Sequence, residues 1–414
     1  MELLLMPSSV KNYWISSIPK TVWVISIVTL LMNLSSIMIF SLSPLYLTQV
    51  LGLATLHLGV LEGFIELISW VTRGFSGVVS DYLKKRKLIL IFAYALTTIS
   101  RPIFALAPTI VWVYCAKLTD RISNGLQASP REALISDVAP KNLKGACYGF
   151  RQSLGVFGSL LGAAALMFLM RLTHNDYKFI FWISAIPPLL GLLALLWFVK
   201  DSPSNETASQ KEIRKKIPFL VQLKQISRLD YSFWSIIVVA SIFMLSNYSG
   251  AYRILHAAKT GFPLSDVSLV MVVQNIGIML AAFPIGRLSD RFSRRTLLAI
   301  GFFIAIISNL CFCLIAGSFG ILLGSALWGV QMGITQSILL SMIADATPKD
   351  LRGSGFGIYY LANAFAMCFA NILAGWLFEA YGSLWAFGAS ALIATIGLIL
   401  IPLIKRPSEV ALAS

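Results

Sequence analysis

The sequence predicts an all-α polytopic membrane protein with 12 transmembrane helices in two pseudosymmetric six-helix bundles. Composition, the number of long apolar segments and an internal repeat predict this fold class. Hydrophobic residues make up 57% of the 414 residues, charged residues only 12%, and the mean hydropathy is +0.79. Soluble domains carry about twice that share of charge. The composition therefore excludes a soluble enzyme or a soluble binding domain.

Twelve apolar segments follow one another along the chain, and a helix needs about 20 such residues to cross the hydrocarbon layer. The predicted spans are 21–49, 55–79, 87–107, 109–137, 143–170, 177–199, 231–255, 264–288, 296–316, 318–345, 352–380 and 383–404. A polar and basic stretch separates the sixth span from the seventh. We therefore predict an N-terminal six-helix bundle over 1–199, a cytoplasmic linker over 200–230 and a C-terminal six-helix bundle over 231–414.

Basic residues concentrate in the loops on one side of the predicted bilayer. Of the 33 Lys and Arg residues, 23 lie on the side of both termini and three on the other side. Since Lys and Arg accumulate in cytoplasmic loops, we expect a multi-pass inner (plasma) membrane protein with both termini in the cytoplasm. The net charge of +15 then reflects topology. The expected partner is the lipid bilayer, and no nucleic acid is expected.

An internal repeat relates the two halves at an offset of 208 or 209 residues. It includes the loops after spans two and eight and the ends of spans four and ten: Gly77, Asp81, Arg86 and Asp137 match Gly286, Asp290, Arg295 and Asp345. Repeats of six helices point the same way through the membrane. Parallel halves joined by a linker are typical of secondary transporters with a site between the halves.

The repeated Gly-x-x-x-Asp loop with a following base resembles the signature of the major facilitator superfamily, and the resemblance covers essentially the whole chain. The run D-R-I-S-N-G from Asp120 and the run P-R-E-A-L-I-S-D from Pro130 resemble the fourth helix of a bacterial branch. The resemblance implies alternating access, a small-molecule substrate and a monomer. It also implies that the eight repeated residues named above form gating contacts between the halves.

Deep charges are unequally divided between the halves, and a charge at mid-membrane costs at least about 2.5–3.5 kcal/mol. Every deep acid lies in the N-terminal half, and the repeat equivalent of Glu66 is Asn275. Burial in a cavity favours a neutral carboxyl, which can exchange a proton as solvent access alternates. We expect proton coupling through Glu66 first, then Glu62 and Asp120. The alternative is mutual pairing: Glu62 or Glu66 with Arg121 or Lys117, and Asp120 with Arg101.

The candidate substrate-binding residues combine charged groups of the N-terminal half with neutral polar groups, most of them in the C-terminal half. They are Arg121, Lys117, Arg131, Arg151, Glu132, Asn33, Tyr248, Gln274, Asn275, Gln331, Gln336, Tyr359 and Asn363. Bases outnumber acids within the spans, and guanidinium groups bind carboxylates through paired N–H donors. The sequence favours a small organic anion, such as a polycarboxylate metabolite or a siderophore.

Two other functions remain open: proton-coupled export of amphipathic cationic drugs, and a non-transporting membrane receptor. The sequence has no G-x-x-x-x-G-K-[ST] phosphate-binding loop, so ATP is not the direct energy source. Its five cysteines lack a zinc-type spacing. We expect no cofactor, no metal and no enzymatic activity. Gly158 and Gly162, four residues apart, predict close helix packing.

Overall fold

The computed structural model describes residues 18–83, 86–140, 143–199, 229–288, 292–348 and 352–404. In these residues the chain forms twelve helical spans in the predicted order. They are α1 (Lys20–Leu45), α2 (Thr55–Leu83), α3 (Arg86–Leu106), α4 (Ile110–Val138), α5 (Lys144–Leu172), α6 (Tyr177–Ile183 and Ile186–Phe198), α7 (Tyr231–Leu245 and Gly250–Lys259), α8 (Leu269–Leu288), α9 (Arg294–Leu314), α10 (Gly317–Ala346), α11 (Arg352–Ala380) and α12 (Ser383–Leu400).

The helices form a membrane bundle whose outer surface is apolar. Large side chains such as Trp112, Trp197, Leu314 and Phe319 are more than half exposed on that surface. Within the described residues, ten helical segments are long and apolar enough to cross a membrane. Helices α2 and α4 do not meet that criterion, because their deep charges lower the mean hydropathy. Three of these charges, Glu62, Lys117 and Asp120, have ion-pair partners inside the bundle.

Because the twelve spans alternate in direction, α1 begins and α12 ends on the same side of the bundle. We call this side the terminal face and the other side the opposite face. Helix α2 runs from the opposite face to the terminal face, and α11 runs beside it in the other direction.

Glycines allow the closest helix contacts within each half. A methyl group on Gly158 would lie 2.3 Å from the Leu30 carbonyl oxygen, and one on Gly162 would lie 2.3 Å from that of Leu34. This geometry confirms the predicted close packing, which joins α5 to α1. In the C-terminal half, Gly329 of α10 packs in the same way against the backbone of α8.

Helix α7 is interrupted between Leu245 and Gly250, at the sequence Ser246-Asn247-Tyr248-Ser249. Backbone polar groups at membrane depth need partners inside the protein. The Ser249 N–H donates to Asn371 Oδ1 at 2.7 Å, and the Ser390 hydroxyl donates to the Ser246 carbonyl oxygen. These two bonds make an irregular segment possible in the interior of the bundle.

The two halves contact each other along α2 and α11 and at the opposite face. Gly59 of α2 packs against the backbone of Asn371 on α11. At the ends of the helices, Arg171 Nη2 lies 2.6 Å from Asp266 Oδ1, and Glu379 Oε2 accepts a hydrogen bond of 2.7 Å from the Leu56 N–H. Both contacts join one half to the other, so the opposite face is closed.

Two equivalent ion pairs lie at the terminal face. Arg86, which begins α3, pairs with Asp137 near the end of α4. Arg294, which begins α9, pairs with Asp345 near the end of α10. The counterpart of Arg86 is thus Arg294, 208 residues later, and not Arg295 as predicted, because the loop before α9 differs by one residue. Each pair joins neighbouring helices of one half.

The remaining predicted gating residues lie partly outside the described residues. Gly77 and Asp81 belong to the last turns of α2, and Gly286 belongs to the last turn of α8. The side chain of Asp81 and the whole of Asp290 fall outside the described part of the chain. Their gating role stays a prediction.

Candidate functional site

A cavity of about 540 Å³ lies between the two halves. Helices of both halves contribute side chains to it. From the N-terminal half it is lined by Asn33, Phe40, Glu66, Ser69, Trp70, Arg73, Arg121, Asn124, Gln127, Ala128, Arg131 and Glu132. From the C-terminal half it is lined by Met244, Asn247, Tyr248, Ser249, Gly250, Arg253, Gln274, Trp328, Met332, Gln336 and Met367. Eight of the predicted site residues are among them.

The N-terminal wall of the cavity carries most of its charge. Glu66 is half-buried, and in the described part of the chain it has neither an ion pair nor a hydrogen bond. The Arg121 guanidinium lies 5.2 Å from the centre of the Phe40 ring, and that of Arg73 lies 5.0 Å from the centre of the Trp70 ring. Aromatic rings thus support two cations without neutralising them.

Arg131, Glu132 and Arg151 form a cluster on the terminal-face side of this wall. Glu132 Oε1 lies 3.0 Å from Arg151 Nη2 and 3.5 Å from Arg131 Nη2. Glu132 therefore pairs with both bases. Arg131 and Glu132 line the cavity, whereas Arg151 lies behind Glu132.

Two buried ion pairs lie behind the cavity wall in the N-terminal half. Lys117 of α4 pairs with Glu62 of α2, and Arg101 of α3 lies 2.9 Å from Asp120 of α4. All four side chains are at most 8% exposed. The ion pairs that were predicted as the alternative to proton coupling are therefore observed for Glu62 and Asp120. They are absent for Glu66, which faces the cavity instead.

The Glu62 pair also reaches the other half. The Ser249 hydroxyl donates to Glu62 Oε2 at 3.1 Å, so a residue in the break of α7 touches the carboxylate of α2. Close by, the Tyr252 hydroxyl donates to the Asn371 carbonyl oxygen at 2.8 Å. These contacts close the cavity on the side of the opposite face.

Four of the predicted neutral residues do not line the cavity. Gln331 donates to Asn247 Oδ1 at 3.1 Å and is fully buried. Asn275 donates to the Met271 carbonyl oxygen of its own helix at 2.7 Å. Tyr359 and Asn363 are buried in α11 away from the cavity. Tyr248, Gln274 and Gln336 do line it, and Asn33, which also lines it, donates to the Gly155 carbonyl oxygen.

Sequence reasoning missed Arg253 and Trp328 as site residues. The Arg253 guanidinium carbon lies 3.8 Å from the centre of the Trp328 ring, and its Nη2 donates to Gln274 Oε1 at 3.1 Å. A continuous helix over 231–255 placed Arg253 at the end of its span. The Asn247-to-Gly250 sequence is a helix-breaking signal, and it would have indicated that Arg253 lies in a separate second segment of α7.

The described residues contain no group of three or more His, Cys, Asp and Glu side chains that could hold a metal ion. The side chains that line the cavity include four arginines, two glutamates, aromatic rings and amides. Such a set can bind a polar organic solute through charge-assisted hydrogen bonds and ring contacts.

Residues 25–257 and 234–413 match the family model of the Major Facilitator Superfamily. The chain belongs to this superfamily. Relatives of the chain include an uncharacterized MFS-type transporter of Methanocaldococcus jannaschii, 26% identical over 92% of this chain and 94% of that protein. The quinolone resistance protein NorA of Staphylococcus aureus is 20% identical over 82% of this chain and 84% of NorA.

Solved structures of superfamily transporters share the fold. The nucleoside transporter NupG matches with a TM-score of 0.77 and 12% identity, over 93% of this chain and 100% of NupG. A D-xylose–proton symporter matches with a TM-score of 0.74 and 16% identity, over 94% of this chain and 98% of the symporter. The predicted fold class, two bundles of six helices, is confirmed.

Proposed function

We propose that this superfamily member is a proton-coupled secondary transporter that moves a small organic anion across the inner membrane by alternating access. The observation that carries the proposal is the charge of the cavity wall. Four arginines and two glutamates line it, so the wall carries an excess of two positive charges. Desolvated guanidinium groups favour carboxylate or phosphate ligands through paired N–H donors.

The closed opposite face supports the assignment of this conformation to the inward-facing state. Contacts between the halves include the Arg171–Asp266 pair, the Glu379–Leu56 bond and the Ser249–Glu62 bond, all toward the opposite face. With both termini in the cytoplasm, the side of Arg131 and Glu132 is the entrance from the cell interior. Gating by the terminal-face residues would then close this entrance in the alternate state.

Proton coupling rests on the different surroundings of the three carboxylates. Glu62 and Asp120 each have a buried cationic partner. Glu66 faces the cavity between Arg73 and Arg121 and can meet water or substrate there. A carboxyl that alternately contacts water on each side of the membrane is suited to carry a proton. Glu66 is therefore the first candidate for the proton carrier. Glu62 would be coupled to closure of the opposite face through its hydrogen bond with Ser249.

The test is transport by purified protein in proteoliposomes that contain the pH-sensitive dye pyranine. Addition of citrate, succinate or another organic acid from a defined panel should change the internal pH, and a pH gradient should drive accumulation of the labelled acid. The Glu66→Gln variant should lose both responses. Failure of the whole panel with the wild type would contradict the anion assignment.

The similarity to NorA favours a second candidate, export of amphipathic drugs. The rings of Phe40, Trp70 and Trp328 and three methionines in the cavity suit an apolar solute. Ethidium in the same proteoliposomes distinguishes the two candidates. Transport of ethidium that is driven by a proton gradient, with no response to any organic acid, would establish drug export instead. Movement of neither solute class would favour the receptor alternative.

A further inference from the structure

Arg253 is a buried cation with no carboxylate partner. Its side chain is only 2% exposed, and no acidic oxygen of the described residues lies within 4.0 Å of it. The other nearly buried cations of the spans differ: Arg101 pairs with Asp120, and Lys117 pairs with Glu62. An unpaired charge at this depth is strongly destabilising. Because Arg253 destabilises the fold at this position, its role is not to stabilise the fold.

The contacts of Arg253 orient it without neutralising it. One face of the guanidinium lies on the Trp328 ring, and Gln274 Oε1 accepts a hydrogen bond from Nη2. Its Nε–H has no acceptor in the structure. A neutral amide oxygen and an aromatic face hold the group in place, and its positive charge remains available to a ligand in the cavity that Arg253 lines.

Arg121 of the other half faces the same part of the cavity. Its guanidinium lies over the Phe40 ring, and the edge of that ring packs against Gly250. A methyl group on Gly250 would lie 2.9 Å from Phe40 Cε1 and 3.2 Å from Arg253 Nη2. The two cations therefore flank a single contact between α1 and α7. One belongs to each half of the transporter.

We infer that Arg253 binds a second acidic group of the cargo, so that the substrate is a dianion bridging Arg121 and Arg253. This inference rests on the proposed transport of an organic anion and narrows it to molecules with two separated acidic groups. In the complex, an anionic oxygen of the cargo accepts a hydrogen bond from the free Nε–H of Arg253, beside the Nη2 group that donates to Gln274 Oε1. A dianion joins the two halves, whereas a monoanion contacts one of them.

The first test compares two buried arginines in the absence of ligand. Arg253→Gln should raise the melting temperature of the purified protein, because it removes an unpaired buried cation. Arg101→Gln is the matched control and should lower it, because it strands Asp120. Gln274→Glu should raise it as well, since the new carboxylate pairs with Arg253. A fall in melting temperature with Arg253→Gln would show that Arg253 is structural and would overturn the inference.

The second test uses defined probes: succinate, glutarate, adipate and citrate, against butyrate, valerate and hexanoate, at constant ionic strength. At least one di- or tricarboxylate should bind the wild type more tightly than the monocarboxylates. Arg253→Gln, Arg253→Lys and Gln274→Glu should each weaken that binding at least about tenfold. Lys178→Gln, which removes an exposed charge outside the cavity, should leave it unchanged.

The outcomes separate this inference from the proposed function. Two results would contradict a dianionic substrate and leave the proposed anion transport standing. One is acid binding that requires Arg121 but not Arg253, and the other is equal binding of mono- and dicarboxylates. Binding of no acid of either class would contradict the anion cargo, and the dianion with it.

Discussion

Arg171 and Glu379 occupy equivalent positions in the two halves, 208 residues apart, and each contacts the start of a helix in the other half. Arg171 ends α5 and pairs with Asp266, just before α8. Glu379 ends α11 and accepts the Leu56 N–H at the start of α2. The repeat thus preserves the location of a contact while its chemistry differs, an ion pair in one case and a carboxylate at a helix N-terminus in the other.

Removing these contacts should open the opposite face. An exposed ion pair contributes about 0.2–1 kcal/mol and a carboxylate at a helix N-terminus about 0.3–1 kcal/mol. The double variant Arg171→Gln, Glu379→Gln should therefore shift the population severalfold toward the outward-open state. Spin labels on cysteines at positions 178 and 381, in a background without the native cysteines, would report the distance. Asp230→Asn at the terminal face serves as control, and an unchanged distance distribution would contradict the prediction.

Glu66→Gln should abolish accumulation driven by a pH gradient and leave substrate exchange partly intact. The reason is that a neutral amide cannot carry a proton, while the rest of the cavity is unchanged. Glu62→Gln should instead lower the melting temperature, because it leaves Lys117 buried without its partner. Transport and thermal unfolding of both variants check the prediction. Gradient-driven uptake that persists unchanged in both variants would show that neither carboxylate carries the proton.

Arg121→Lys should weaken binding of an anionic substrate about tenfold to a hundredfold although the charge is kept. A lysine ammonium cannot make the paired contact of a guanidinium, and charge-assisted hydrogen bonds contribute about 1.5–3 kcal/mol. Arg131→Lys should have a smaller effect, because that residue lies nearer the terminal face. Ligand affinity and melting temperature should be measured together. Normal affinity in Arg121→Lys would favour drug export over anion transport.

Gly158→Ala should destabilise the protein by about 1–3 kcal/mol, because the new methyl group would meet the Leu30 carbonyl oxygen and force α1 away from α5. Gly149→Ala is the matched control on the same helix, since no atom lies within 4 Å of its added methyl group. Thermal unfolding in detergent compares the two. Equal stability of both variants would show that the α1–α5 contact can adjust freely.

The helical spans could be predicted from the sequence because a membrane requires long apolar segments, and the internal repeat divided them into two six-helix bundles. The different surroundings of Glu62, which pairs with Lys117, and Glu66, which lines the cavity, could not be predicted. The two residues lie one turn apart on α2, so helical periodicity gives them the same face. Which of them meets Lys117 depends on how α4 and the broken α7 pack around α2, and that is decided by contacts distant in sequence.

The position of Arg253 in the cavity wall could not be predicted for a related reason. Hydropathy indicates where a span lies but not where it bends, and the bend in α7 depends on side chains of α11 and α12, Asn371 and Ser390, that satisfy its backbone. The repeat also misassigned Arg295, because a one-residue difference in a loop shifts an alignment without disturbing the helices on either side.

The low hydropathy of α4 has a consequence for the biosynthesis of the protein. Lys117 and Asp120 each oppose the transfer of this segment from the translocon to lipid by about 2.5–3.5 kcal/mol. Their partners, Glu62 on α2 and Arg101 on α3, emerge from the ribosome earlier. The fourth segment can thus enter the bilayer as the completion of a three-helix unit, with Lys117 and Asp120 paired as they leave water. A nascent chain that stops after α3 would instead hold Glu62 and Arg101 in lipid without these two partners.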